Sequence, residues 1–164
     1  MLLTGPRQIR LLEVAYADHP KRFTCRLVPV PWDMMHVEYL AISYMWGDPS
    51  NYTTVTFADG TFMSITKCAS IILDTLYRKN SSIYVWIDSL CISQSDNDEK
   101  SGQIRLMNEI YSTAQQVVVS LGKPTLDSNK AMDSVFQLRT AILSASKALV
   151  GPNLLSFDAI FQAA

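Results

Sequence analysis

The sequence has little of what marks several functional classes. It has no charge excess: fourteen lysines and arginines stand against fifteen aspartates and glutamates in 164 residues, a formal net charge of −1. Such a balance supplies no general electrostatic pull toward nucleic acid or an acidic membrane, so neither is expected as a partner. Histidine is scarce too. His19 and His36 lie apart from each other and from the cysteines, which is not the spacing of a zinc site, and no metal is expected. The three cysteines, Cys25, Cys68 and Cys91, are odd in number, far apart and each set in an apolar segment. That pattern argues against a disulfide framework and for reduced core thiols in a cytoplasmic protein. No run approaches the roughly 18 apolar residues of a membrane span. The opening MLLTGPRQIR lacks the apolar centre of a secretory signal, so a soluble intracellular chain is expected. Repeats, low-complexity tracts and linkers are also missing.

What is present is enough apolar residue for one core. At 48% hydrophobic content, a chain of 164 residues can bury roughly two-thirds of its unfolded surface, so a single domain over 1–164 is the expectation. Residues 8–14 carry Ile9 and Leu11 on one face, and Phe23, Cys25 and Leu27 alternate with Thr24 and Arg26. Period two predicts an antiparallel strand pair. Tyr39 to Tyr44 reads as a buried strand feeding the turn-forming Gly47-Asp48-Pro49. The segments 54–57 and 61–65 flank Ala58-Asp59-Gly60, a hairpin signal. Ile65, Ala69, Ile72 and Leu76 then mark one face of a helix capped near Thr66. Residues 83–87 form an apolar run closed by Asp88, as in a strand covered on both faces. Asp96 and Glu99 have capping-box spacing ahead of a helix whose expected stripe is Ile104, Met107, Tyr111 and Ala114. Val117 to Leu121 predicts another buried strand. A last helix is expected from about Asp127 or Ser128, with Ala131, Val135, Leu138, Ile142, Ala145 and Leu149 on its packed face and a stop at Gly151-Pro152. Residues 153–164 are expected to add a helical turn or two. Strand and helix alternating from Tyr39 onward is the order of a parallel α/β sheet, with the two hairpins as additions. In such sheets functional groups gather at the carboxyl ends of the strands.

Two motifs make the reading specific. Tyr39-Leu40-Ala41-Ile42-Ser43-Tyr44-Met45-Trp46-Gly47-Asp48-Pro49 resembles the first block of the HET (heterokaryon incompatibility) domain of filamentous fungi. Val85-Trp86-Ile87-Asp88-Ser89-Leu90-Cys91-Ile92-Ser93-Gln94, continued through Asp96, Glu99, Gln103, Met107, Ile110-Tyr111 and Ala114 to residues 117–122, resembles the second. With the lead-in Ile9-Arg10-Leu11-Leu12 and Cys25-Arg26-Leu27, the resemblance spans roughly residues 8 to 124, the motifs themselves lying in 39–124. Ser93 stands where the family usually has Asn, and Lys100 where it usually has Arg, which loses a bidentate fork. The family's third block, an Arg-x-Trp and then a Trp followed by Gln-Glu, has no counterpart between Thr125 and Ala164. A HET domain that is truncated or divergent at this end is therefore expected. The resemblance implies an α/β fold: a sheet similar to that of Toll/interleukin-receptor (TIR) domains, flanked by helices, with N-terminal and inserted β-hairpins. It also implies a module that triggers cell death after non-self recognition, through self-association or contact with other proteins.

Some TIR domains cleave NAD with a glutamate that faces the ribose, a place the HET third-block glutamate resembles. Its absence implies a chain that binds without turnover, with no cofactor under the leading reading and NAD as ligand under the enzymatic one. An inactive fragment is the third reading. The family pattern implies a pocket of Ser43, Tyr44, Trp46, Gly47, Asp48, Asp88, Cys91, Gln94, Asp96, Glu99 and Gln103. Several of these have plainer readings. Asp88 either meets a ligand at the strand edge or closes a turn, and a carboxylate after five apolar residues needs partners. Trp46 reads as a core indole, with pocket lining as the alternative. Asp96 and Glu99 read as helix caps, and Cys91 as an inert buried thiol rather than a nucleophile. Gln103 faces the Asp88 edge or solvent. An enzyme would need one of Asp48, Asp88, Asp96, Asp98 and Glu99.

Overall fold

The computed structural model of the chain describes residues 7–16, 23–34, 36–48, 50–76, 81–122, 127–146 and 157–160. In chain order its elements are β1 (Gln8–Tyr16), β2 (Phe23–Pro31), β3 (Leu40–Tyr44), β4 (Tyr52–Thr56), β5 (Phe62–Thr66) and α1 (Lys67–Thr75). There follow β6 (Ser82–Ile87), α2 (Asp88–Cys91), α3 (Asn97–Thr113), β7 (Gln116–Ser120), α4 (Ser128–Ser146) and β8 (Phe157–Ile160).

The main sheet has the order β2-β1-β6-β3-β7-β8. Its parallel part is the expected one: β3 runs parallel to β6, with Ala41 opposite Trp86, and parallel to β7, with Ala41 opposite Val117. The antiparallel pair β1 and β2 is also as expected, in register from Gln8 opposite Pro31 to Tyr16 opposite Phe23. It is not an addition, however. β1 pairs antiparallel with β6, Leu12 opposite Val85, and so extends the sheet. That position explains why Ile9, Arg10, Leu11 and Leu12 are all buried, on both faces of a strand expected to be half-buried. The inserted hairpin β4–β5 forms a separate two-stranded sheet, Thr56 opposite Phe62, turned at Gly60 with φ of 82°.

Helices cover both faces. Tyr16, on the same face as Leu12 by strand alternation, donates from its hydroxyl to the Leu73 carbonyl of α1 at 2.7 Å. Tyr39, on the opposite face, donates to the Ile110 carbonyl of α3. α1 is capped by the Thr66 hydroxyl, which accepts from the Ala69 N–H at 3.2 Å, and Ile65, Ala69, Ile72 and Leu76 are all buried. Trp86 is fully buried and meets the Tyr111 ring edge-on, centroids 5.5 Å apart.

Four expectations need correction. On α3 the expected Met107, Tyr111 and Ala114 pack against the core beside the buried Gln103, Leu106 and Ile110, but Ile104 is 53% exposed. The buried face extends to Gln103 rather than to Ile104, the Gln103 side-chain amide donating to the Gln8 carbonyl at 2.7 Å. The apolar residues of α4 do not form a packed face in the described part, since Val135 and Leu138 are 52% and 62% exposed. Leu121 lies outside β7 and is exposed. Residues 157–160 are a strand parallel to β7, Val117 opposite Phe157, not a helical turn. Leu149 and the stop at Gly151-Pro152 lie outside the described residues.

Candidate functional site

β3 and β6 are neighbours whose carboxyl ends lie together, Ile42 opposite Ile87. From β6 the chain enters α2 directly at Asp88; from β3 it runs into the loop of Trp46, Gly47 and Asp48. The two motifs thereby meet at one edge. The Trp46 indole N–H donates to both Asp88 oxygens, at 3.2 and 3.3 Å, and the Ser89 backbone N–H donates to Asp88 Oδ1 at 2.7 Å. The Tyr44 hydroxyl hydrogen-bonds Ser89 Oγ at 2.6 Å. Gln94 Nε2 donates to the Asp88 carbonyl at 2.9 Å, which ties the outgoing loop to α2. Tyr111 reaches in from α3 to donate to the Ile42 carbonyl at 3.3 Å.

Burial sets the electrostatics here. It pushes the Asp88 carboxyl above its ordinary range, partly offset by the Ser89 and Trp46 N–H donors. Burial likewise pushes up the phenols of Tyr44 and Tyr111, and the Asp88 charge adds to both. Gly47 shapes the loop: its φ is 78°, and a Cβ there would lie 2.7 Å from Cys68 Sγ. Asp48 organises the next turn, its Oδ1 accepting from the Ser50 N–H at 2.8 Å and the Ser50 hydroxyl at 2.7 Å, bonds that hold its carboxyl below the usual range.

Of the residues expected at a pocket, Ser43, Tyr44, Trp46, Gly47, Asp48, Asp88 and Gln94 lie at or beside this edge. Trp46 is not the core indole of the simpler reading but is 43% exposed over Asp88. The other expected residues serve the scaffold. Asp96 caps α3, accepting from the Asp98 and Glu99 N–H groups at 3.1 and 3.0 Å. Glu99 does not close a capping box; it accepts from the Ser93 N–H at 2.7 Å and pairs with Arg10, their side chains 7% and 6% exposed. Arg10 Nε also donates to the Cys91 carbonyl at 2.9 Å. Cys91 is fully buried, and desolvation pushes its thiol up to about 12, as an inert thiol requires. Gln103 faces neither the Asp88 edge nor solvent. Arg10, Ser89 and Tyr111 were not singled out as site residues. The one available signal was Arg10, a cation inside the apolar run Ile9 to Leu12.

Parallel strands with helices on both faces, ending at a polar edge with an exposed indole, define an open α/β domain, a class in which ligands generally bind at the carboxyl ends of the strands. Residues 39–152 match the model of a family described as heterokaryon incompatibility protein (HET), and the chain belongs to that family. It is similar to "Heterokaryon incompatibility protein 6, OR allele" of Neurospora crassa, with 37% identity over 128 residues, 71% of this chain. The chain spans 18% of the length of that relative. No solved structure matches it.

Proposed function

We infer that the chain is a signalling module of fungal heterokaryon incompatibility, coupled to programmed cell death after non-self recognition, and that it works by protein association rather than by turnover. Membership of the HET family and the name of the Neurospora relative support the incompatibility role. The observation that carries the mode of action is the fate of the edge carboxylates. Asp48 holds a turn, Asp96 caps a helix, Glu99 is neutralised by Arg10, and Asp98 is exposed in the first turn of α3. Among the described residues only Asp88 is a half-buried carboxyl facing the edge, and it already accepts an indole N–H. The third-block glutamate that the resemblance sets against a ribose has no counterpart between Thr125 and Ala164. One carboxyl under an exposed tryptophan suits a contact surface, where tryptophan is a favoured anchor.

The elevated proton affinity of Asp88 favours a second reading, a nucleotide-cleaving enzyme. Incubating the purified chain with NAD and following nicotinamide separates the two. The association reading expects release no greater than that of an Asp88→Ala control. Release proportional to protein, and lost in that control, would establish the enzyme.

A further inference from the structure

Asp88 is a half-buried carboxyl without a counter-charge. Glu13 and Glu99, also withdrawn from solvent, each meet a guanidinium, that of Arg26 and that of Arg10. Among the described residues no cation pairs with Asp88; its carboxyl oxygens accept from the Trp46 indole N–H and the Ser89 backbone N–H. Neither donor carries a full charge, so the partly desolvated carboxylate stays uncompensated, and its field reaches the phenols of Tyr44 and Tyr111. The carboxyl also lies beside an aromatic surface. The bond from its N–H holds the Trp46 ring with that edge toward Asp88, and the indole is 43% exposed. A cation lying over this ring meets the π face and the carboxylate together. An apolar rim is the third component. Tyr44 and Ser120 are opposite each other on the parallel strands β3 and β7, and the residues that follow them, Met45 and Leu121, are 71% and 54% exposed.

These components fix the chemistry of the occupant. An ammonium is a compact, strongly hydrated point charge, whereas a guanidinium is planar, weakly hydrated, stacks on an aromatic face and donates several N–H groups to a carboxylate at once. Its aliphatic stem lies readily on an apolar rim while the head reaches the charge. Small-molecule sites enclose most of their ligand. With Met45, Trp46 and Leu121 open to solvent, only a partner larger than one amino acid excludes water from this edge. The geometry points to an arginine side chain of a partner protein as the occupant of the edge between Trp46 and Asp88, its guanidinium over the indole and hydrogen-bonded to the carboxyl, with apolar neighbours on Met45 and Leu121. The inference rests on the association reading above and names what the partner presents.

Titration of the isotope-labelled chain, followed by NMR at the two N–H groups that donate to Asp88, the Trp46 indole and the Ser89 amide, tests it. The probe is acetyl-Leu-Arg-Leu-amide, with the citrulline peptide as its neutral isostere. Both resonances are expected to shift and saturate with the arginine peptide. Citrulline for arginine in the peptide, or Asp88→Asn in the chain, is expected to weaken binding by about tenfold or more. Asp88→Asn keeps an acceptor for the indole, and unchanged near-ultraviolet dichroism of the buried Trp86 shows that the fold is kept. No saturable shift, or equal binding of the two peptides or by the two chains, overturns the inference. Tetramethylammonium bound as tightly as the arginine peptide makes the occupant a small cation and overturns it too. A flat titration by a chain that releases no nicotinamide from NAD overturns the arginine occupant alone and leaves the association reading standing. Nicotinamide release lost in Asp88→Ala removes that reading, and the partner arginine with it.

Discussion

At Asp88 the fold accepts an electrostatic penalty in order to hold a carboxyl under Trp46. Burial raises its proton affinity above the ordinary value of 3.8, so the folded chain holds the proton more tightly than the unfolded one. The stability that protonated Asp88 contributes is therefore full below pH 3.8 and is lost as pH rises through the raised value. At neutral pH the ionised, partly desolvated carboxylate is a liability. Asp88→Asn is expected to raise the denaturation midpoint at pH 7 and to flatten the pH dependence of stability just above 3.8; an unchanged or lower midpoint counts against this electrostatic account. Trp86 is the opposite case, a side chain that works by packing. Its truncation to Ala removes a fully buried indole and should cost about 3 to 5 kcal/mol in chemical denaturation. Trp86→Phe should cost far less, because the edge-on contact with Tyr111 survives and an indole N–H with no hydrogen-bond partner among the described residues disappears.

Among the elements, α3 is held by two devices of different strength. Losing the cap in Asp96→Ala should cost about 1 kcal/mol. Arg10→Met, which strands Glu99 as a buried charge and leaves the Cys91 carbonyl without the guanidinium, should cost about 3 to 5 kcal/mol. In a double-mutant cycle with Glu99→Met the second substitution should restore part of that loss; strictly additive losses would mean that the two groups do not interact. The same elements show what a sequence can and cannot reveal. α1 was legible because its cap Thr66 and its four apolar positions act locally. On α3 the positions Met107, Tyr111 and Ala114 were legible, but the places of Gln103 and Glu99 were not, because these are anchored by Gln8 and Arg10, partners some ninety positions away that no local pattern contains. For α4 the apolar positions were legible, but periodicity names a face without saying what it packs against.

On the scale of the whole molecule, three apolar runs ending in recognisable motifs were enough to anticipate that β3, β6 and β7 share one parallel sheet and that Tyr44 and Asp88 lie at one edge of it, but not the order β6-β3-β7. The hydrogen bond between Trp46 and Asp88 was not legible, because it depends on the path of the loop after β3, set by Gly47 at positive φ against Cys68. The entry of β1 into the sheet was equally hidden, since antiparallel pairing with β6 joins segments some seventy residues apart. The edge built by these long-range contacts is the account's central claim, and a domain exchange tests it most directly. In the Neurospora relative, the segment matching this chain is replaced by this chain's own residues, and the incompatibility reaction is scored when colonies fuse. The account predicts that the chimera reacts, and that Asp88→Ala and Trp46→Ala chimeras, expressed to the same level, do not. Substituted chimeras that react as strongly as the unaltered one would contradict it.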